Sequence, residues 1–273
     1  MKKRSLSQKL LGAPYIVWAA IFIVVPLLIV VYYSFTDADG HFTFVNIKGL
    51  LDYMEVFWIS IEYSFIATII TLLISYPFAY LMSRRSENTQ RIMMMLVMLP
   101  MWMNLLIRTY SWMNILEKNG IINNILTSLG MQPLKLIGTP GAVIFGMIYN
   151  YIPYMILPIY SVMAKIDPSV LEAAEDLGSN GLSKLRRIIL PLSMPGVVSG
   201  FTMVFVPSVS TFYISQKLGG KIMLIGDAIE KQIQSLYNYN LGAALSLVLM
   251  VLIVISMALM KKFAGDEGDN LYV

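Results

Sequence analysis

Cysteine is absent from the 273 residues, histidine occurs once, and charged side chains make up 13% of the chain, about half the share usual in soluble domains. Without cysteine there is no disulfide scaffold, no thiolate-held cluster and no haem bound through cysteine. A single histidine also excludes an HExxH motif and any zinc site built on several Cys and His. The phosphate-cradling pattern G-x-x-x-x-G-K-[ST] is missing as well, since Gly219-Gly220-Lys221 lacks both its first glycine and its terminal hydroxyl residue. Carboxylates are absent from the long apolar stretches, where a proton-driven carrier keeps them at high cost. A formal net charge of +4 gives no basic stripe for nucleic acid. No metal and no cofactor is expected, and His41 reads as a solvated loop residue. What remains abundant is apolar: 57% of the residues, with a mean hydropathy of +0.69. The fold class that follows is an all-α integral membrane protein.

Crossing a hydrocarbon core of roughly 30 Å takes about 20 apolar residues in a helix, because only an internally hydrogen-bonded segment persists without water. Uncharged windows therefore locate the spans. They run for 27 residues between Lys9 and Asp37, 21 between Glu62 and Arg84, and 29 each between Lys135 and Lys165, Arg187 and Lys217, and Lys231 and Lys261. A sixth window of 25 residues between Arg91 and Glu117 is interrupted only by Arg108, placed to snorkel or to pair with Glu62. Six transmembrane helices are expected, at about 12–35, 62–83, 92–116, 138–163, 190–213 and 241–260. The first stretch is too long, and too poor in small residues at its end, for a cleaved leader. Thirteen Lys and Arg flank one side (the N-terminus, 84–91, 165–187 and the tail) against six on the other, which puts both termini in the cytoplasm. With no low-complexity linker and little chain outside the bilayer, residues 1–273 read as one transmembrane domain in a cell membrane.

The cytoplasmic stretch 167–190 carries a distinct pattern. Asp167 suits an N-cap, Pro168 the first helical position and Gly178 a left-handed helix end. Val170, Leu171, Ala174 and Leu177 fall on one helical face, and Glu172, Glu175 and Asp176 form an acidic opposite edge beside small Ala173. So short a helix needs packing to persist. After the turn at Ser179-Asn180-Gly181, residues 182–190 resume an amphipathic helix with Lys184, Arg186 and Arg187 in water, and Pro191 breaks it before the next span. Two environments fit such an element: the membrane surface, which an acidic edge suits poorly, or a groove on another protein.

The segment Glu172-Ala173-Ala174, three residues, Gly178, nine residues, then Ile188-x-Leu190-Pro191 resembles the EAA signature of permease subunits of ABC importers, of the type I, MetI-like family. Leu99–Trp112, Glu117–Leu126, Tyr149–Ser161 and Val209–Ser215 are similar to its polyamine (spermidine/putrescine) group. The resemblance implies a subunit with no nucleotide or catalytic site of its own, in a bacterial inner membrane. It implies as partners a cytoplasmic ABC ATPase dimer, a second homologous permease and an extracytoplasmic polyamine-binding protein. Glu172, Ala173, Ala174, Leu177, Gly178, Leu190 and Pro191 are then the ATPase-coupling residues. Permeases for an iron complex or an anion share similar stretches, and a stand-alone facilitator or lipid enzyme would share the hydropathy.

A polyamine needs carboxylates or aromatic faces, and a cation over a ring gains about 0.5–2 kcal/mol. Tyr110, Tyr149 and Tyr154 are candidates for the pathway, with Asn150, Pro153 and Pro158 interleaved in the fourth span. Phe212 and Tyr213, at the outer end of the fifth, are candidates for a gate. Tyr and Trp also gather at membrane interfaces for amphipathic reasons alone.

Overall fold

The computed structural model describes residues 14–264. Five helices in it are long and apolar enough to cross a membrane: α1 (Pro14–Ser34), α2 (Val45–Ser83), then α6 (Pro140–Met163), α8 (Gly181–Ser210) and α11 (Tyr239–Ala264). Between α2 and α6 lie α3 (Glu87–Trp102), α4 (Leu105–Leu116) and α5 (Ile121–Ser128). α7 (Pro168–Asp176) precedes α8, and α9 (Tyr213–Leu218) and α10 (Ile225–Glu230) follow it.

The third expected span, 92–116, is not one rod. The chain bends by 89° between α3 and the segment starting at Leu105. Met103 and Asn104 are extended, and Asn104 Oδ1 accepts the Leu106 N–H at 2.7 Å, capping α4 afresh. At about 1.5 Å per residue the 16-residue α3 is about 24 Å long, short of the hydrocarbon thickness. The count is thus five unbroken candidates plus one bent pair.

Pro191 does not break its helix either. Residues Leu185–Ile189 form a π-turn in which the Leu190 N–H bonds to the Leu185 carbonyl, so the register has already shifted where the proline ring enters. Another π-turn, Ala20–Val24, precedes Pro26 in α1. α8 is therefore a single rod of 30 residues, about 45 Å long, so that it extends beyond a 30 Å core.

The chain forms two compact units. One comprises 14–55 and 228–252, the other 56–227 and 253–264. In the first, Asn46 and Asn240 both donate to the Thr36 carbonyl, at 2.8 and 2.6 Å, where a short bridge joins Thr36 to Phe42. The second unit is built on the α6–α8 pair. Gly196 and Gly200, four apart on α8, lie against α6 so closely that a Cβ would fall 2.8 Å from the Pro158 carbonyl oxygen or the Met155 sulfur. Small residues at this spacing let helix backbones touch. One apolar cluster, with Met82, Met155, Ile159, Met163, Ile189 and Val204, joins α2, α6 and α8. A second, with Ala67, Val143, Met147, Ile214 and Leu218, joins α2, α6 and α9.

Polar groups inside this unit are mostly anchored. Ser60, Ser64, Thr68, Thr71 and Ser75 of α2 are fully buried, and Thr68 and Thr71 donate to carbonyls one turn back at 2.6 and 2.7 Å. Ser60 Oγ accepts the Ile225 N–H at 2.8 Å, and Asp227 accepts that of Leu224 at 2.8 Å, so both serve the start of α10. Asp227 is itself buried.

Replacing Gly196 by Val is expected to force α6 and α8 apart at a cost of about 1–3 kcal/mol, lowering the thermal midpoint of the purified protein. Gly181→Ala, where a Cβ meets nothing within 4 Å, is the control and should leave the midpoint unchanged.

Candidate functional site

α7 is closed at both ends by its own side chains and turns. Asp167 Oδ1 accepts the Ser169 N–H at 2.9 Å, satisfying one of the free donors of the first turn. That bond and a second from the Ser169 hydroxyl hold the Asp167 carboxyl below the ordinary aspartate range. Its contribution to the helix is complete above that range and is lost only as pH falls through the lowered value. At the other end the Ser179 N–H reaches the Ala174 carbonyl at 2.9 Å and the Gly178 N–H that of Glu175 at 2.8 Å, a Schellman turn with Gly178 at φ +79°.

The helix divides its residues between anchor and surface. Ala174 is buried and Leu171 packs on the cluster containing Met163 and Ile189. Glu172, Ala173 and Asp176 are exposed. Val170 and Leu177 do not share the packed face that their spacing predicts: Leu177 is 87% exposed, because it is the C-cap, where the chain leaves the helix for the Gly178 turn. Lys184 is not solvated either; it is half-buried and pairs with Glu175, so the free acidic edge reduces to Glu172 and Asp176. Leu190, 40% exposed, and Pro191 lie inside α8, directly above the π-turn.

Two residues that sequence reasoning overlooked tie the start of α7 and the α2–α3 turn to the spans. Arg84, at the end of α2, lies over the Tyr80 ring at 5.6 Å and donates to the Ile166 carbonyl at 3.5 Å, one residue before the N-cap. Gln90 accepts the Tyr160 hydroxyl at 2.7 Å and donates to the Arg85 carbonyl at 2.8 Å, tying the α2–α3 turn to α6. A polar residue next to an expected span end was the only available signal.

The aromatic candidates fall into separate groups. Tyr110 and Tyr213 meet edge to face with centroids 6.1 Å apart. Lys217 places its Nζ 5.0 Å from the first ring centre and 5.6 Å from the second. Tyr149 packs on Trp112 at 5.2 Å, which also meets Phe145 at 4.6 Å. Tyr154 packs on Tyr151 at 6.4 Å, and Tyr151 donates to the Pro207 carbonyl at 3.4 Å. Phe212 is exposed and lies in the non-helical step between α8 and α9 rather than at the end of a span. Arg108 neither snorkels nor pairs with Glu62. It is 8% exposed, its Nε and one Nη make no hydrogen bond with a described residue, and Glu62 is exposed. The bend at Asn104 turns this part of α4 inward.

Comparison with known proteins identifies the class of transport subunit to which this capped helix and its apolar spans belong. Residues 75–265 match the family of binding-protein-dependent transport system inner membrane components. The chain belongs to this family, whose members are multi-pass inner-membrane permease subunits of ABC importers. Among curated relatives it is similar to the spermidine/putrescine transport system permease protein PotB of Haemophilus influenzae, with 39% identity over 91% of each chain. The PotB of Escherichia coli is 36% identical over 86% of this chain and 89% of that one. The fold matches a bacterial ABC transporter involved in the import of the acidic polysaccharide alginate, with a TM-score of 0.77 and 18% identity over 94% and 96% of the two chains.

Replacing Gly178 by Ala puts a Cβ on a left-handed residue with open space around it, so the cost is backbone strain alone, about 1–2 kcal/mol. Coupled transport should fall while expression holds, and Gly178→Asn, which tolerates that conformation, should retain more activity. Equal losses in both variants would contradict this account of the turn.

Proposed function

We propose that this chain is the transmembrane permease subunit of an ATP-driven polyamine importer, and that α7 couples it to a cytoplasmic ATPase dimer. The whole chain serves as one permease domain and carries no nucleotide or catalytic site. A second homologous permease and an extracytoplasmic polyamine-binding protein complete the assembly. The substrate class rests on the spermidine/putrescine relatives, similar over nearly the full length of both chains.

The coupling role rests on one observation. α7 exposes Glu172, Ala173, Asp176 and Leu177, while Ala174 is buried and Leu171 roots the helix in the cluster shared by α2, α6 and α8. Force applied to the exposed side reaches three spans at once through packed atoms. Closing of the ATPase dimer moves α7, the α6–α8 pair turns with it, and the spans reopen outward to receive the polyamine. Gly178, Leu190 and Pro191 keep the lever's joint with α8 fixed. Tyr110, Tyr149, Tyr154, Phe212 and Tyr213 serve the pathway, with ring faces as weak cation sites and Phe212 with Tyr213 at the outer gate.

Labelled spermidine uptake by the complete importer in proteoliposomes tests the substrate. Unlabelled putrescine should compete and sulfate or iron should not; competition by the anion or the metal alone would replace the polyamine assignment. Glu172→Lys reverses a charge that docks in a groove, where an unpaired charge costs about 3–5 kcal/mol, so the ATPase should no longer co-purify. Lys184→Ala breaks a partly exposed pair worth at most about 1 kcal/mol and should be mild. Small, equal effects would remove the docking role. Alanine at both Phe212 and Tyr213 should lower uptake per ATP hydrolysed, and normal coupling in that variant would remove the gate.

A further inference from the structure

The Lys217 ammonium lies over Tyr110 and Tyr213, at 5.0 and 5.6 Å from their ring centres. Both distances are inside the roughly 6 Å at which a ring quadrupole attracts a cation. A lysine at an interface ordinarily extends its head into water; this one is half-buried against two phenol rings. The rings come from different elements. Tyr110 belongs to α4, restarted by Asn104 after the 89° bend, and Tyr213 opens α9, restarted after the extended Thr211 and the irregular Phe212. Irregular backbone at membrane depth persists only where protein covers it or water reaches it.

We infer that Tyr110 and Tyr213 form a binding site for a primary alkylammonium group, and that Lys217 is its tethered occupant, which an incoming ammonium must displace. The inference deepens the polyamine reading, since a chain of primary and secondary amines presents the group that Lys217 mimics. The site takes the ammonium and its adjoining methylenes: the charge faces the rings and the alkyl stem lies where the lysine stem now lies. It binds weakly by design, because a resident competitor at the end of a short tether lowers the apparent affinity of every free ligand by the fraction of time the site is filled.

The test uses the complete importer with 1-butylammonium as ligand and 1-butanol as its uncharged counterpart. In complex carrying ¹³C-dimethylated lysines, the signal assigned to Lys217 by its loss in Lys217→Arg is expected upfield, in the ring currents of the two tyrosines. Butylammonium should move it to the position of a free lysine and butanol should not. A signal at the free position from the start, or one that butylammonium leaves in place, overturns the inference.

Inhibition of binding-protein-stimulated ATP hydrolysis gives the second readout. Lys217→Met should lower the butylammonium concentration for half inhibition by about two- to thirty-fold, the range that a cation over an aromatic ring supports. Lys217→Arg should leave it as in the unmodified importer, and adding Tyr110→Leu to Lys217→Met should abolish the gain. An unchanged value in Lys217→Met, or a gain that survives loss of Tyr110, overturns the assignment. Neither readout depends on which solute is carried, so an importer that ignores spermidine but passes these tests refutes the polyamine reading and keeps the ammonium site.

Discussion

Every backbone N–H and C=O that leaves a helix inside hydrocarbon must find another partner, because water is not there to supply one. The architecture follows from how the chain meets that demand at its interruptions. Asn104 caps the restart after the bend, Thr139 the start of α6, Asp167 the start of α7 and Asn180 the start of α8. Ser60 and Asp227 receive the first N–H groups of the α10 region. At Pro26 and Pro191 a π-turn shifts the helix register just before the proline. Some of the candidate functional residues lie at these interruptions, α7 between two capped breaks and Tyr110 and Tyr213 each after one, whereas Tyr149 and Tyr154 lie inside α6.

The same demand explains what could be read from the sequence. Charge-free windows report hydrocarbon thickness, so they located the apolar helices, and the cap residues around 167–178 report local hydrogen bonding, so α7 and its Gly178 turn were legible to the residue. What failed were statements about continuity. A break at Met103-Asn104 costs little once an asparagine caps the next turn, and hydropathy does not see a cap inside an apolar window. Pro191 looked like a stop because a proline clashes with the carbonyl four residues back, but a π-turn moves that carbonyl away, and no residue type announces a π-turn. Arg108 was placed at the interface because burying a charge is expensive; its burial depends on how α4 folds after the bend. Lys184 was counted as solvated for the same reason, whereas it pairs with Glu175 of α7.

Packing then decides what can move. α6 and α8 approach closely at Gly196 and Gly200, where backbone meets backbone. Close-packed interfaces shift as bodies and do not deform smoothly, so the two helices act together. α8 begins at Gly181, three residues after the Gly178 turn, and runs unbroken to Ser210. Its lower end is held to α7 by the pair Lys184–Glu175 and by Leu171 and Leu185 on one apolar cluster. Its upper end leads through Thr211 and Phe212 into α9, which carries Tyr213 and Lys217. A displacement at α7 and the position of the aromatic pair are thus two ends of one rod.

A rod that ends at rings has a consequence for how a cation is handled. A carboxylate in such a place would hold a polyvalent cation too tightly to release it, and desolvated charge pairs are also costly to build. Conduction past a site requires binding strong enough to enter and weak enough to leave, and a ring face, at about 0.5–2 kcal/mol per ammonium, sits in that range. Tyr110 and Tyr213 each follow a separate interruption, and Lys217 shares α9 with Tyr213, so in the proposed site a small displacement of α9 changes the distance to the Tyr110 ring and weakens the pair. In the proposed site the cation is tethered to α9 by four methylenes, so movement of that helix would withdraw it from Tyr110 without any net charge having to enter or leave the membrane.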